Sequence, residues 1–185
     1  MKKVHLGCWH RYIPGFVHVD ICNFPHIDYQ STVDRLPFFE DESIDLIYAS
    51  HVLSYFDREE AFAVLNEWKR VLKQGGTLRL AVPNFSSLIK VISVTGDINN
   101  ILGPLYGKMS IQTSSGLQTL YHKTAYDEKQ LVALLLNVGF CDIKPWDWRD
   151  TEHAAVDDHS QAYHPHMEKE TGLLVSLNIQ AQKIT

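Results

Sequence analysis

Within residues 36–84, LPFFEDESIDLIYASHVLSYFDREEAFAVLNEWKRVLKQGGTLRLAVPN, two short apolar runs flank a helical stripe. Residues 44–49 (IDLIYA) run into Ser50 and His51, and residues 77–82 (TLRLAV) are closed by Pro83 and Asn84. Both read as strands covered on two faces. Between them Ala61, Val64, Leu65, Trp68, Val71 and Leu72 recur at helical spacing. Asp57, with Glu60 three residues on, predicts the start of that helix, and Gly75 and Gly76 are expected to supply the left-handed turn that ends it. A strand, helix and strand of this length make a right-handed crossover between parallel neighbours, so ligands are expected just beyond the carboxyl ends of the strands.

Upstream, residues 4–8 (VHLGC) predict a first strand running into a turn, and residues 16–21 (FVHVDI) a second that closes on Asp20. The connection at 9–15 is shorter than the roughly 10–12 residues of an ordinary parallel crossover. It is either one irregular turn or a sign that a strand end lies elsewhere. Residues 27–32 suggest a third strand, at an edge. Downstream, a helix is expected over 86–94, and residues 95–123 hold five glycines or prolines without a clean period. Such a stretch reads as a long irregular insertion, more often a lid or binding loop than filler. Asp127 opens another helix, with Gln130 completing a capping pattern and Tyr126 placed to staple on Leu131. Leu131, Leu134, Leu135 and Val138 form its stripe and Gly139 ends it. Residues 141–148 and 173–182 read as the last two strands, joined by a polar, His-rich link at 149–171.

The 185 residues, 45% hydrophobic, suit a single domain over 1–185 with its own core. A net charge of −5 and a pI near 6.0 give no electrostatic case for nucleic acid. Three cysteines without CxxC spacing suggest neither a disulfide framework nor a cysteine zinc site, and point to a reducing, cytoplasmic setting. No apolar stretch is long enough for a membrane span, and Lys2 and Lys3 lead into a strand rather than a signal-peptide core.

The succession LGC, PGFVHVD, LPF, IDLIYASHVL, EWKRVLKQGGTLRLAVPN, LLLNVGF and LLVSLNIQAQ resembles class I methyltransferases that use S-adenosylmethionine (SAM). The likeness is to a small group related to methyltransferase type 11, found among sugar and cell-surface biosynthesis enzymes. It implies an α/β, Rossmann-like fold with a seven-stranded, mostly parallel sheet of order 3-2-1-4-5-7-6, strand 7 antiparallel, and helices on both faces. It also implies methyl transfer from SAM, leaving S-adenosylhomocysteine, in this case O-methylation of a sugar or other small hydroxylated acceptor. A homodimer is compatible with it, and no metal is expected.

By the same resemblance Gly7, Cys8 and Trp9 form the turn beside the cofactor, Gly7 letting the backbone approach it. Asp20 accepts from the ribose hydroxyls, and Asp34, Arg35 and Leu36 border the adenine. Ala49, Ser50 and His51 face the methionine part and the sulfonium. The plainer readings are a turn glycine at Gly7, a turn cap at Asp20, a solvated acid at Asp34, a packed or capping His51 and a core anchor at Trp9. Two departures stand out: the family's LGCG has Trp9 for its second glycine, and its SHVLEH reads SHVLSYF, with Ser54 and Tyr55. An alternative function follows from the first, a non-catalytic binding module whose pocket Trp9 has altered. A nicotinamide-dependent dehydrogenase is excluded because no GxGxxG opens a helix after the first strand.

Proton removal from a hydroxyl acceptor needs a base within hydrogen-bond reach, for which His122, Asp157 and His159 are the candidates. Segments 95–123 and 149–171 are expected to cover the substrate. Deleting part of the second is expected to abolish transfer while sparing cofactor affinity. The histidines of that segment match no zinc spacing, so a metal site there is the lesser reading.

Overall fold

The computed structural model describes residues 1–113 and 116–184. Its first half runs β1 (Lys3–Leu6), β2 (Phe16–Asp20), β3 (Tyr29–Gln30), β4 (Ile44–Ser50), α1 (Arg58–Val71) and β5 (Leu72–Pro83). Next come α2 (Phe85–Thr95), α3 (Asn99–Tyr106), β6 (Met109–Thr113), β7 (Gly116–Leu120) and α4 (Glu128–Val138). The chain closes with β8 (Phe140–Pro145), β9 (Tyr163–His164), β10 (Leu173–Leu174) and β11 (Ser176–Lys183).

Seven strands form one sheet in the order β3-β2-β1-β4-β5-β11-β8, with β11 antiparallel to both its neighbours and β1 to β5 parallel. Counted within this sheet alone, β8 is the sixth strand and β11 the seventh, which is the expected arrangement. The higher labels arise because β6–β7 and β9–β10 pair separately.

The helix between β4 and β5 begins as its sequence predicts. The Asp57 carboxylate accepts from the backbone N–H of Glu59 and Glu60, and the Glu60 side chain returns to the N–H of Asp57. Its stripe is wholly buried, Trp68 donating from Nε1 to the Val33 carbonyl at 2.7 Å. Its end differs from expectation. Leu72 is already extended, and the left-handed Gly75 (φ 71°) lies inside β5. There the register with β4 jumps from Ile44↔Leu72 to Leu46↔Thr77, so the two glycines absorb a bulge rather than cap the helix.

Alternation along the strands gives the sheet two unlike faces. Val4, Leu6, Val19, Ile47, Leu78, Leu80, Leu177 and Ile179 join the stripes of α1 and α4 in the main core. On the other face stand His5, His18, Tyr48, Arg79 and Asn178. The resemblance implies helices there as well, but no α-helix bridges β1 and β2 among the described residues. Residues 7–15 make an irregular turn, in which Pro14 and Gly15 disfavour a helix.

That second face is closed instead by the link after β8. Ile13, Phe16, Leu46 and Tyr48 pack with Trp146 and Val156. Tyr48 donates to the Asp158 carboxylate at 2.5 Å, and Trp146 Nε1 to the Leu80 carbonyl at 2.9 Å. Glu152 pairs with Lys3 and Arg79, and the buried His153 lies 4.2 Å from the Tyr48 ring. The segment read as a substrate cover is therefore largely a structural layer. Its removal would bare Tyr48 and Arg79, so the expected sparing of cofactor affinity on deletion does not follow. Residues 114 and 115 lie outside the described residues, and the described residues of 95–123 are likewise not irregular. They hold α3 and the β6–β7 hairpin, placed by antiparallel pairing that a search for periodicity does not detect. Among the described residues no helix is long and apolar enough to cross a membrane.

Candidate functional site

Strand order reverses between β1 and β4, and the loops beyond their carboxyl ends part there. They border a cleft of ≈550 Å³, within the range of about 300–1,000 Å³ usual for small-molecule sites. One wall comes from the tips of β1 and β2 and the loop after β3, with Gly7, Trp9, Asp20 and Asp34; the other comes from Ser50, His51 and Val52 after β4. The β6–β7 hairpin roofs it with Met109, Thr119 and Leu120.

Gly7 is left-handed (φ 63°), and a Cβ there would lie 2.3 Å from Cγ2 of Val52. The neighbour that demands a glycine is thus Val52 from the loop after β4, and the close contact knits the two halves of the sheet at the cleft floor. Trp9 takes the place of the family's second glycine by also adopting left-handed backbone (φ 49°), at a cost of about 1–2 kcal/mol. In that conformation its N–H donates to Asp20 Oδ2 at 2.7 Å, while Cys22 N–H donates to Oδ1 at 2.7 Å. Asp20 is buried at the tip of β2 and lines the cleft, with one lone pair per oxygen left over. The indole lies against His10 (4.4 Å between ring centres) and forms a wall without filling the space.

His51 is a second non-glycine residue with left-handed backbone (φ 56°), and it is buried. Strained backbone gathers at functional sites. Its Nε2 lies 3.0 Å from Ser176 Oγ; that hydroxyl reaches Asn178 Oδ1 at 2.9 Å, and Asn178 Nδ2 donates to the Ser160 carbonyl at 2.9 Å. Because Asn178 Oδ1 can only accept, Ser176 donates to it, and His51 completes the chain by donating from Nε2. Nδ1 is then an unprotonated acceptor, free of hydrogen bonds to the described residues, on a side chain that lines the cleft. Burial, followed by His159, His122 and Arg11, holds this imidazole well below its usual range. His159 stands beside it, ring centres 5.1 Å apart. Desolvation and then Arg11 lower His159 too, though its ring stays partly open to solvent.

Of the residues singled out in the sequence, the structure brings Gly7, Trp9, Asp20, Asp34, Ser50, His51 and His159 together in the cleft. The others fall outside it. Cys8 is buried with its thiol toward the Val19 carbonyl, Leu36 and Ala49 are core residues, and Arg35 is exposed elsewhere. His122 faces away: its Nδ1 lies 3.1 Å from the Pro104 carbonyl, its ring packs edge-on to Tyr55 at 4.6 Å, and a Cβ on Gly107 would sit 2.1 Å from its Nε2. It fastens α3 to the loop after β4, so it has no reach as a base. Asp157 is mostly exposed and pairs with Lys169 at 2.6 Å. Arg11, Val52, Tyr55 and Tyr121 also line the cleft and were not anticipated.

Residues 16–80, a little over a third of the chain, match the family model described as a methyltransferase domain. No curated protein matches the chain. Among solved structures it is similar to a SAM-dependent methyltransferase of Methanosarcina mazei, with 18% identity and TM-score 0.57 over 99% of this chain and 92% of that one. A possible histamine N-methyltransferase of Thermotoga maritima is 14% identical with TM-score 0.59, covering 98% and 82%. The 1,6-didemethyltoxoflavin-N1-methyltransferase of Burkholderia thailandensis, solved with bound 1,6-didemethyltoxoflavin and S-adenosylhomocysteine, is 14% identical with TM-score 0.55, covering 99% and 71%. The chain has the Rossmann-like fold of these methyltransferases.

Proposed function

We propose that this chain binds SAM and catalyses methyl transfer to a small acceptor. The observation that carries this reading is the place of the cleft, at the switch point of the sheet with Gly7 and Asp20 at the strand tips and room for a nucleoside-sized group. The methyltransferase-domain match over residues 16–80 and the shared fold support it.

The residues fit the cofactor. Asp20 has lone pairs left for two ribose hydroxyls, Asp34 borders the adenine end, and Ser50 and His51 face the methionine part. When bound, the cofactor supplies a methyl group on a sulfonium. The protein's part is to hold the acceptor in line with it, exclude water and take up a proton. His51 Nδ1 is the base in this reading: it would take up the O–H proton of an acceptor held in the cleft. His51 is neutral at pH 7, as the role requires. A sugar or similar hydroxylated compound is the acceptor class the resemblance suggests.

Calorimetric titration with S-adenosylhomocysteine tests the reading. Binding by the natural protein, weakened at least tenfold in Asp20→Ala, is the expected result. Binding only after Trp9→Gly would instead favour the repurposed binding module.

A further inference from the structure

The cleft is charged unevenly. Asp20 and Asp34 stand at its β2–β3 end, and Glu60 is paired with Lys123 at 2.8 Å. Arg11, from the β1–β2 connection, lines the cleft together with His51 and His159. Of the two cleft cations it is the one without a carboxylate partner among the described residues. Its Nε donates to the Asp157 carbonyl at 2.9 Å, and its guanidinium carbon lies 6.0 Å from the centre of the Trp9 ring. One edge of the fork is thus anchored and one face shielded, leaving both terminal NH₂ groups without a partner among the described residues. The guanidinium is partly open to solvent, and its two terminal NH₂ groups are available to a ligand that enters the cleft.

We propose that Arg11 forms an anion-binding subsite for a carboxylate or phosphate group carried by the methyl acceptor, so that the acceptor is an acidic hydroxy compound rather than a neutral sugar. This rests on the transfer reading above and narrows its substrate. The subsite lies beside the imidazole pair, so an acid group held there sets the neighbouring hydroxyl near His51 Nδ1. After burial, Arg11 is among the charges that hold both imidazoles low, and an anion on Arg11 would ease its share of that lowering.

The cofactor's own carboxylate is the other source of such a group, and binding measurements separate the two. Natural protein and Arg11→Gln are titrated with S-adenosylhomocysteine and with 5′-methylthioadenosine, which lacks the carboxylate. Then glucuronate against glucose, and 4-hydroxybenzoate against phenol, are titrated into each protein saturated with S-adenosylhomocysteine. The expected results are that Arg11→Gln changes S-adenosylhomocysteine affinity less than threefold, and that the natural protein binds at least one acid roughly tenfold or more tighter than its neutral partner. That preference is lost in Arg11→Gln and partly kept in Arg11→Lys. A tenfold loss for S-adenosylhomocysteine with no loss for methylthioadenosine would assign Arg11 to the cofactor and overturn the proposal, as would equal binding, or none, of both acids and their neutral partners. Failure of the natural protein to bind S-adenosylhomocysteine would strike the transfer reading instead; the acid and neutral pairs, titrated into the free protein, then decide the subsite by the same criteria.

Discussion

Acidification should unfold this protein through its buried imidazoles. His5, on the sheet face opposite α1, and His51, in the cleft, are both buried, and both are held well below the ordinary value of 6.5. Burial is the largest cause for each, reinforced at His5 by His18, His153, Arg11 and His26 and at His51 by His159, His122 and Arg11. The folded state keeps them neutral while the unfolded chain takes up protons near pH 6.5, so their contribution is complete above that value and is lost as pH falls below it. Each such group costs on the order of 1 kcal/mol for each pH unit below 6.5 for as long as it stays neutral in the fold. Together the two remove on the order of 2 kcal/mol at pH 5.5, a sizeable share of the roughly 5–15 kcal/mol that holds a domain folded. Glu152, whose burial is outweighed by a backbone hydrogen bond and then by Arg79 and Lys3, is held down to about 2 and contributes an acid loss only below the ordinary glutamate range, so the window from 6.5 to 4.5 belongs to histidine. Urea unfolding of the natural protein and His5→Phe at pH 7.5 and 5.5 measures this. Nδ1 of His5 is buried without a partner among the described residues, so phenylalanine leaves no orphaned group behind. His5→Phe should lose on the order of 1 kcal/mol less than the natural protein on going from pH 7.5 to 5.5. Equal losses, or stability that stays flat across this range, would refute the reasoning.

Three further outcomes follow from the site and its supports. Gly7→Ala combines a left-handed backbone with a Cβ 2.3 Å from Val52, so thermal unfolding should show a destabilisation of roughly 1–3 kcal/mol, partly restored by Val52→Ala. Asp57→Ala removes both N–H bonds at the start of α1 and should cost about 1 kcal/mol in chemical denaturation while leaving S-adenosylhomocysteine affinity unchanged. If His51 is the base, His51→Gln should lower kcat by roughly 10²–10⁴ with that affinity within a few fold, measured by single-turnover transfer once an acceptor is in hand. An equal loss of both would make it a cofactor ligand instead.

The legible parts of the chain were those whose signals are local. Asp57 and Glu60 stand three residues apart, the α1 stripe repeats within a few turns, and Asp127 accepts from Gln130 N–H at the start of α4 as expected. The second sheet face was harder to read, although it left a trace. His5, His18, Arg79 and Asn178 alternate with Val, Leu and Ile, the mark of one apolar and one more polar face, and the structure covers both. What covers that face depends on partners far apart in sequence, such as Tyr48 with Asp158, which no window of the chain contains. The candidate bases divided for the same reason. His122 and His159 look alike in the sequence, but the first meets Pro104 and Tyr55 while the second meets His51.

The layer after β8 also bears on how the chain reaches its native state. Lys3 meets Glu152 and Tyr48 meets Asp158, each more than a hundred positions on, and Trp146 closes on Leu80, so β1 and β4 wait for residues made much later before water is shed from one side of them. Contacts of that span slow collapse. A nascent chain stopped before Trp146 would therefore present an aromatic, histidine-lined sheet surface to whatever chaperone or neighbouring chain it met first.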